Sequence, residues 1–296
     1  MLIFLAFNIQ LQNLVNSILQ ANVLYLTAAI VLLIPNLYLQ YFKWKLTCVQ
    51  LLGEKRSKKI FLSLLYGFPP ALITPARTGE YFGRGIAFKD KSMLEIVAAT
   101  FIDKLFVMLV TFLLGIITFY LFLVQYYQAR LIISIPLLIS FVLVFSSIII
   151  LLTGKNDRLF NYIISKFKFK TFLTIKEKIE IFKGITRRYT SRMFIVSLFF
   201  LICYLFQLTI LIAAFSHQLN FINYLWAGIL ILFAKTALSP ITLGELGARE
   251  SASIFFLAYF GESASTALNA SLSLFFINIV IPSLIGMALY FIKNDD

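Results

Sequence analysis

The chain has 296 residues, of which 60% are hydrophobic and only 13% are charged. This composition excludes a water-soluble globule and is typical of a polytopic membrane protein. The apolar runs are continuous and do not alternate with polar residues, which favours helices over a β-barrel. Because backbone inside a bilayer must satisfy its own hydrogen bonds, we expect an all-α polytopic membrane protein. We expect residues 1–296 to form a single membrane domain.

The formal net charge of +13 raises the question of nucleic-acid binding. The basic residues collect in loops between apolar runs, which is where membrane topology and anionic lipid head groups place them. We therefore expect no nucleic acid among the partners. Cys48 and Cys203 lie in or beside different apolar runs, and no Cys or His spacing is typical of a metal site. We expect neither a metal nor another cofactor.

Five apolar runs reach the length of about 20 residues that a spanning helix needs. They lie near residues 21–42, 97–124, 131–152, 193–215 and 265–292. Two further stretches, 60–75 and 225–241, are short or interrupted by proline and lysine. Such broken helices are tolerated at membrane depth only where they are buried in protein or line a wet cavity.

Loop charge predicts the orientation of the spans. Residues 43–59 carry six Lys and Arg against one Glu, and residues 153–192 carry eleven against three acidic residues. The positive-inside rule places both in the cytoplasm, and it places 216–224, which has no Lys or Arg, outside. For the spans to alternate, 60–91 must leave and return on the cytoplasmic side and 225–262 on the outer side. Each segment is therefore predicted to be a re-entrant hairpin.

One motif occurs twice, once in each predicted hairpin. The segments PARTGEYFGR (75–84) and PITLGELGAR (240–249) share the pattern P-x3-G-E-x3-R. Because the two hairpins would enter from opposite sides, the pattern predicts an inverted-topology repeat of span, re-entrant hairpin and span, a plan common in transporters. The predicted order is repeat one at about 21–124, a linking span at 131–152, a basic cytoplasmic linker at 153–192 and repeat two at about 193–292.

The motifs bring charge to membrane depth. In a helix, Arg77, Glu80 and Arg84 lie on one stripe, so that the glutamate can pair with both arginines, and Glu245 and Arg249 stand four residues apart. A charge near the bilayer centre costs about 2.5–3.5 kcal/mol on insertion scales, so such residues seldom lack a role. Two interpretations stay open, a phosphate-binding site and salt bridges that only cap or lock the hairpins.

Asp103 and Lys104 raise the same question inside the span 97–124, where a structural pair and a functional pair fit equally well. Neighbours on a helix point in different directions, so Asp103 is expected to pair with Arg77 or Arg84. The candidate substrate-binding residues are the charged residues of both motifs and this pair: Arg77, Glu80, Arg84, Asp103, Lys104, Glu245, Arg249 and Glu250.

Four segments carry a family resemblance: KWK at 43–45, TPARTGE at 74–80, IDK at 102–104 and SPITLGELGARE at 239–250. They resemble the flippase-like membrane region of lysylphosphatidylglycerol synthases and their stand-alone relatives. The resemblance implies translocation of an anionic or modified phospholipid, or of a polyprenyl-phosphate-linked lipid carrier, between membrane leaflets. It names an anionic membrane lipid or lipid-linked phosphate as partner, with a lipid-modifying enzyme as a further partner. The expected location is the cell (inner) membrane.

Three functions stay open. In the leading hypothesis, a translocator holds a lipid phosphate between Arg77, Arg84 and Arg249 by charge-assisted hydrogen bonds. A lipid-phosphate-modifying enzyme is the second, but the sequence offers no nucleophile with an adjacent base and no metal ligand set, so we expect no catalysis. A scaffold for a lipid-modifying enzyme is the third. The chain shows no aminoacyl-transferring domain and no G-x4-G-K-[ST] loop, so translocation is expected to be passive or coupled to an ion gradient.

Overall fold

The computed structural model describes residues 11–128, 131–153, 185–216, 218–238 and 247–294. Within these ranges every regular element is a helix. Five helical segments are long and apolar enough to cross a membrane: Val23–Leu52, Met93–Tyr127, Arg187–Phe215, Phe221–Leu238 and Ala264–Ile292. The prediction of an all-α polytopic membrane protein is therefore confirmed.

The first span is built from consecutive helical pieces and is longer than predicted. A short helix, α1 (Leu11–Leu19), comes before the span. The span itself consists of α2 (Val23–Val31), α3 (Leu33–Thr47) and a π-helical turn (Cys48–Leu52). The predicted end at residue 42 was wrong, because Lys43 and Lys45, counted as loop charges, lie within α3. Lys43 is buried against the Asp103 carboxylate. Hydropathy alone treats a lysine as a polar break, since it takes no account of a partner that is distant in sequence.

A helical hairpin follows this span. Helix α4 (Ser57–Ile73) runs out, and α5 (Gly79–Gly83) with a 3-10 turn (Arg84–Ala87) runs back along it. Gly83 permits this close approach, because a Cβ atom there would overlap the Tyr66 carbonyl oxygen. At the tip of the hairpin, Ala76 and Arg77 adopt φ angles of 49° and 55°. Non-glycine residues seldom occupy this left-handed region, and such strain often marks functional sites.

An ion-pair cluster ties the two ends of this hairpin together. Lys59, near the start of α4, pairs with Asp90, which follows the returning arm. The Glu54 carboxylate lies 2.8 Å from an Arg56 nitrogen and 3.2 Å from the Lys59 ammonium. The hydrogen bonds from Arg56 hold the pKa of Glu54 at about 2. The hairpin therefore begins and ends at the same end of the helix bundle.

Two long helices complete the first half of the described chain. Helix α6 (Met93–Tyr127) is capped by the preceding residue Ser92, whose side chain accepts a hydrogen bond from the Glu95 amide. The 35 residues of this helix extend about 52 Å. Helix α7 (Leu131–Thr153) covers the predicted linking span at 131–152. Most of the predicted basic linker at 153–192 lies outside the described residues.

Six further helical elements follow in the described residues from 185 onward. They are α8 (Arg187–Phe215), α9 (Phe221–Leu238), α10 (Ala248–Ala258), α11 (Ala264–Phe275), a π-helical turn (Phe276–Val280) and α12 (Ile281–Asn294). Helix α9 continues without a break through Lys235, where an interruption was expected. Helices α9 and α10 pack against each other, and the Glu262 carboxylate, after α10, accepts hydrogen bonds from Tyr224 at 2.5 Å and Ser216 at 2.7 Å. The second hairpin thus also has its two ends together.

The two halves interlock reciprocally. Helix α6 packs on α9 and helix α12 packs on α4, so the last span of each half covers the hairpin of the other. Glycines allow both contacts, since a Cβ at Gly115 would overlap Phe233 and one at Gly286 would overlap the Leu65 carbonyl. Helix α8 crosses α2 and α3 in the centre. This arrangement surrounds an internal space with elements from both halves.

Candidate functional site: a charged internal cavity

A cavity of about 400 Å³ lies within the helix bundle. Its size falls in the range of about 300–1,000 Å³ that is usual for ligand pockets. The tip of the first hairpin and helices α3, α6, α8 and α9 form the walls, together with the second π-helical turn. Apolar side chains such as Phe101 and Met108 line one part, and charged side chains from the hairpin tip, α3, α6 and α9 line another.

Glu80 is the centre of the first part of the charge network. Its carboxylate lies 2.5 Å from Arg84, 3.1 Å from Arg77 and 2.9 Å from Lys104. The glutamate therefore pairs with both arginines, as the spacing predicts, although Arg77 lies in the turn before α5 and not on a helix. Lys104, on α6, adds a third cation that the motif does not contain. One carboxylate is thus shared by three basic side chains.

Asp103 is the centre of the second part. Arg84 donates a hydrogen bond of 3.1 Å to its carboxylate, which confirms one of the two expected pairings. The Lys43 ammonium lies 3.2 Å from the same carboxylate and donates to the Asp103 backbone carbonyl at 2.9 Å. Arg84 therefore bridges Glu80 and Asp103 and connects the hairpin to α6.

Packing holds the Arg84 guanidinium in this bridging position. Its central carbon lies 4.2 Å from the centre of the Trp44 ring, a cation–π contact. Ser63 accepts a hydrogen bond from the Trp44 indole at 3.3 Å and donates one to the Arg84 carbonyl at 2.8 Å. Only 3% of the surface of Arg84 is exposed. The side chain is fixed in advance of any ligand.

The cavity has an excess of positive charge. Among the described residues, its walls carry two carboxylates, those of Glu80 and Asp103, and five basic side chains. The five basic residues are Lys43, Arg77, Arg84, Lys104 and Lys235. Five positive and two negative charges leave a formal excess of three. Such a site attracts an anion, because charges interact more strongly where water is scarce.

The second motif forms a different arrangement. Arg249 bonds Glu250 at 2.6 Å and Ser271, on α11, at 2.9 Å. Glu250 also accepts a hydrogen bond of 2.6 Å from the amide of Gly247, and Arg249 and Glu250 are both fully buried. Neither is among the residues that line the cavity. The expected convergence of three arginines is therefore wrong for Arg249, while Glu245 lies outside the described residues.

Two lysines of the cavity were missed as site residues by the sequence analysis. Lys43 was counted as a loop charge, and Lys235 was treated only as an interruption of an apolar stretch. Lys235 lies 5.7 Å from the centre of the Tyr204 ring, and both lysines line the cavity. A lysine within an otherwise apolar run was the available signal, because such a residue is costly in a membrane unless it has a partner.

The fold and the cavity together define a multi-pass helical membrane protein with a partly open, positively charged site among its helices. The chain matches the model of the lysylphosphatidylglycerol synthase TM region over residues 1–286. It therefore belongs to this family, as its motifs indicated, and has a lipid-related membrane function. A comparison with curated proteins finds no match.

Proposed function

We propose that the protein moves a lipid that carries a phosphate between the two leaflets of the cell (inner) membrane. The cargo is an anionic or modified phospholipid, or a polyprenyl-phosphate-linked lipid carrier. The basic excess of the cavity carries the proposal. A phosphate offers more acceptor oxygens than a carboxylate and forms strong charge-assisted hydrogen bonds with arginine. It can therefore compete with Glu80 and Asp103 for Arg84 without requiring a new cation.

The arrangement of the hairpins supports a transport role. Each hairpin has both ends at one end of the bundle, held by Lys59 and Asp90 in the first and by Tyr224 and Glu262 in the second. With the orientation that loop charge predicts, the first enters from the cytoplasm and the second from outside. The two halves then form an inverted repeat with re-entrant hairpins. Such repeats provide alternating access to a site near the middle of the membrane.

Redistribution of labelled lipid tests this function against its two rivals. The purified protein is placed in liposomes with head-group-labelled phosphatidylglycerol, and both leaflet distribution and lipid mass are followed. Movement without a change of mass supports translocation. A changed lipid mass supports a lipid-phosphate-modifying enzyme. If neither the leaflet distribution nor the lipid mass changes, a scaffold for such an enzyme is supported.

A substitution at the bridging arginine ties the activity to the cavity. Arg84→Lys keeps the charge but loses the planar group that reaches two carboxylates, so transfer should fall and not disappear. Arg188→Lys is the matched control, because Arg188 is exposed at the start of α8. Equal transfer rates in the two variants would remove Arg84 from the transport site.

A further inference from the structure

We propose that the cavity selects net-anionic phosphate head groups and rejects lysylated ones, whose two added ammonium groups make the head group cationic. The inference rests on the proposed function and narrows its cargo. It also separates this chain from the lipid in the name of its family, since a lysyl ester adds two ammonium groups to a single phosphate charge.

An ammonium group in a buried site needs a carboxylate, and both carboxylates of the described walls already form ion pairs with basic side chains. Glu80 is shared by three cations within 3.1 Å. Asp103 is shared by Arg84 at 3.1 Å and Lys43 at 3.2 Å. A cationic head group would have to displace one of these basic side chains and leave it buried without its partner. That exchange is unfavourable, because an unpaired buried charge is costly.

Aromatic faces are the other groups that hold ammonium ions, and the protein's own lysines occupy three that line the cavity. The Lys104 ammonium lies 4.7 Å from the centre of the Tyr81 ring, and that of Lys235 lies 5.7 Å from the centre of the Tyr204 ring. The Lys43 ammonium lies 5.8 Å from the centre of the Phe200 ring. All three rings belong to the walls. These rings therefore stabilise cations of the protein and are not open to a cation of the ligand.

The charge count favours an anion even under a strict condition. With Arg77 and Lys235 left out, three basic side chains still face two carboxylates in the described walls. A phosphodiester brings one negative charge, and a phosphomonoester brings about 1.5 to 2 at pH 7. Under this strict count the excess is one, which a phosphodiester neutralises; under the full count of three, a phosphomonoester comes closer to neutrality than a phosphodiester. A lysyl ester of phosphatidylglycerol, with one negative and two positive charges, raises the excess under either count. An anionic head group should therefore bind more tightly than the lysyl ester.

Equilibrium binding to the purified full chain tests the inference. Three lipids with identical acyl chains are compared: phosphatidic acid, phosphatidylglycerol and lysylphosphatidylglycerol. We expect phosphatidic acid to bind at least as tightly as phosphatidylglycerol, and lysylphosphatidylglycerol to bind about tenfold more weakly because of like-charge repulsion. Equal or tighter binding of the lysyl lipid overturns the inference.

A charge-neutralising variant locates the selectivity. Lys104→Gln removes one of the three partners of Glu80 and should narrow the gap between phosphatidylglycerol and its lysyl ester by about fivefold. Lys58→Gln is the matched control, since Lys58 is exposed near the base of the hairpin, and it should leave the gap unchanged. An unchanged gap in Lys104→Gln would contradict the assignment. If that variant does not fold, the wild-type comparison of the three lipids still decides.

Transfer assays with the same lipids keep the two proposals apart. If no lipid is redistributed but binding follows the expected order, the translocation proposal fails and the selectivity stands. If the lysyl lipid moves faster than phosphatidylglycerol, translocation stands and the selectivity fails.

Discussion

Removing Arg84 should destabilise the protein through the two carboxylates that it leaves behind. Arg84 is 3% exposed, and its partners Glu80 and Asp103 are 5% and 1% exposed. Breaking a buried ion pair by removing one partner costs about 3–5 kcal/mol. Lys43 still holds Asp103, and Arg77 and Lys104 still hold Glu80. We therefore expect Arg84→Ala to lose about 3 kcal/mol, at the lower end of this range.

A double-mutant cycle separates this electrostatic effect from the lost packing on Trp44. Asp103→Asn removes one of the charges that Arg84 compensates, so the double variant should be more stable than the sum of the single effects by about 1–3 kcal/mol. Unfolding is measured in detergent by heat or denaturant, with the wild type in parallel. The coupling energy between Arg84 and Asp103 also measures how strongly this ion pair holds the first hairpin to α6.

Arg188→Ala is the control for loss of an arginine, because Arg188 is exposed and its stability effect should stay within about 0.5 kcal/mol. Two results would refute the reasoning. One is an Arg84→Ala variant as stable as Arg188→Ala. The other is a cycle in which the effects of Arg84→Ala and Asp103→Asn simply add.

Three further predictions concern the hairpins. The depressed pKa of Glu54 contributes stability that is present above its ordinary value of 4.5 and is lost as the pH falls toward about 2. The wild type should therefore be more stable than Glu54→Gln at pH 5, and this difference in the free energy of unfolding should disappear by pH 2. Acid unfolding of both proteins measures it. Gly83→Ala should cost about 1–3 kcal/mol by overpacking the hairpin, whereas Gly228→Ala, which meets only the ends of two leucine side chains, should cost less in the same unfolding assay. Finally, in a chain without its native cysteines, Ser57→Cys should react with an impermeant reagent only from the cytoplasm and Gln218→Cys only from outside; labelling of both from one face would contradict the inverted arrangement.

The sequence predicted the motif contacts well where they are local. Arg77, Glu80 and Arg84 lie three and four residues apart, and this short spacing brings the glutamate to both arginines even though Arg77 lies in a turn and not on a helix. The pairing of Asp103 with Arg84 was anticipated as one of two choices, because Asp103 and its neighbour Lys104 point in different directions on a helix. The position of Arg249 was not anticipated. Its guanidinium donates hydrogen bonds to the neighbouring Glu250 and to Ser271, which is distant in sequence.

Composition and hydropathy thus determined by themselves that this is a helical membrane protein, because the cost of bare backbone and of charge in lipid acts on every stretch of chain independently. The repeated motif likewise predicted two re-entrant hairpins. Only the tertiary structure decided that Lys43 and Lys235 join the cavity while Arg249 does not. Each of these side chains meets partners from other helices, and such meetings depend on how the two halves interlock, which no local pattern of residues encodes.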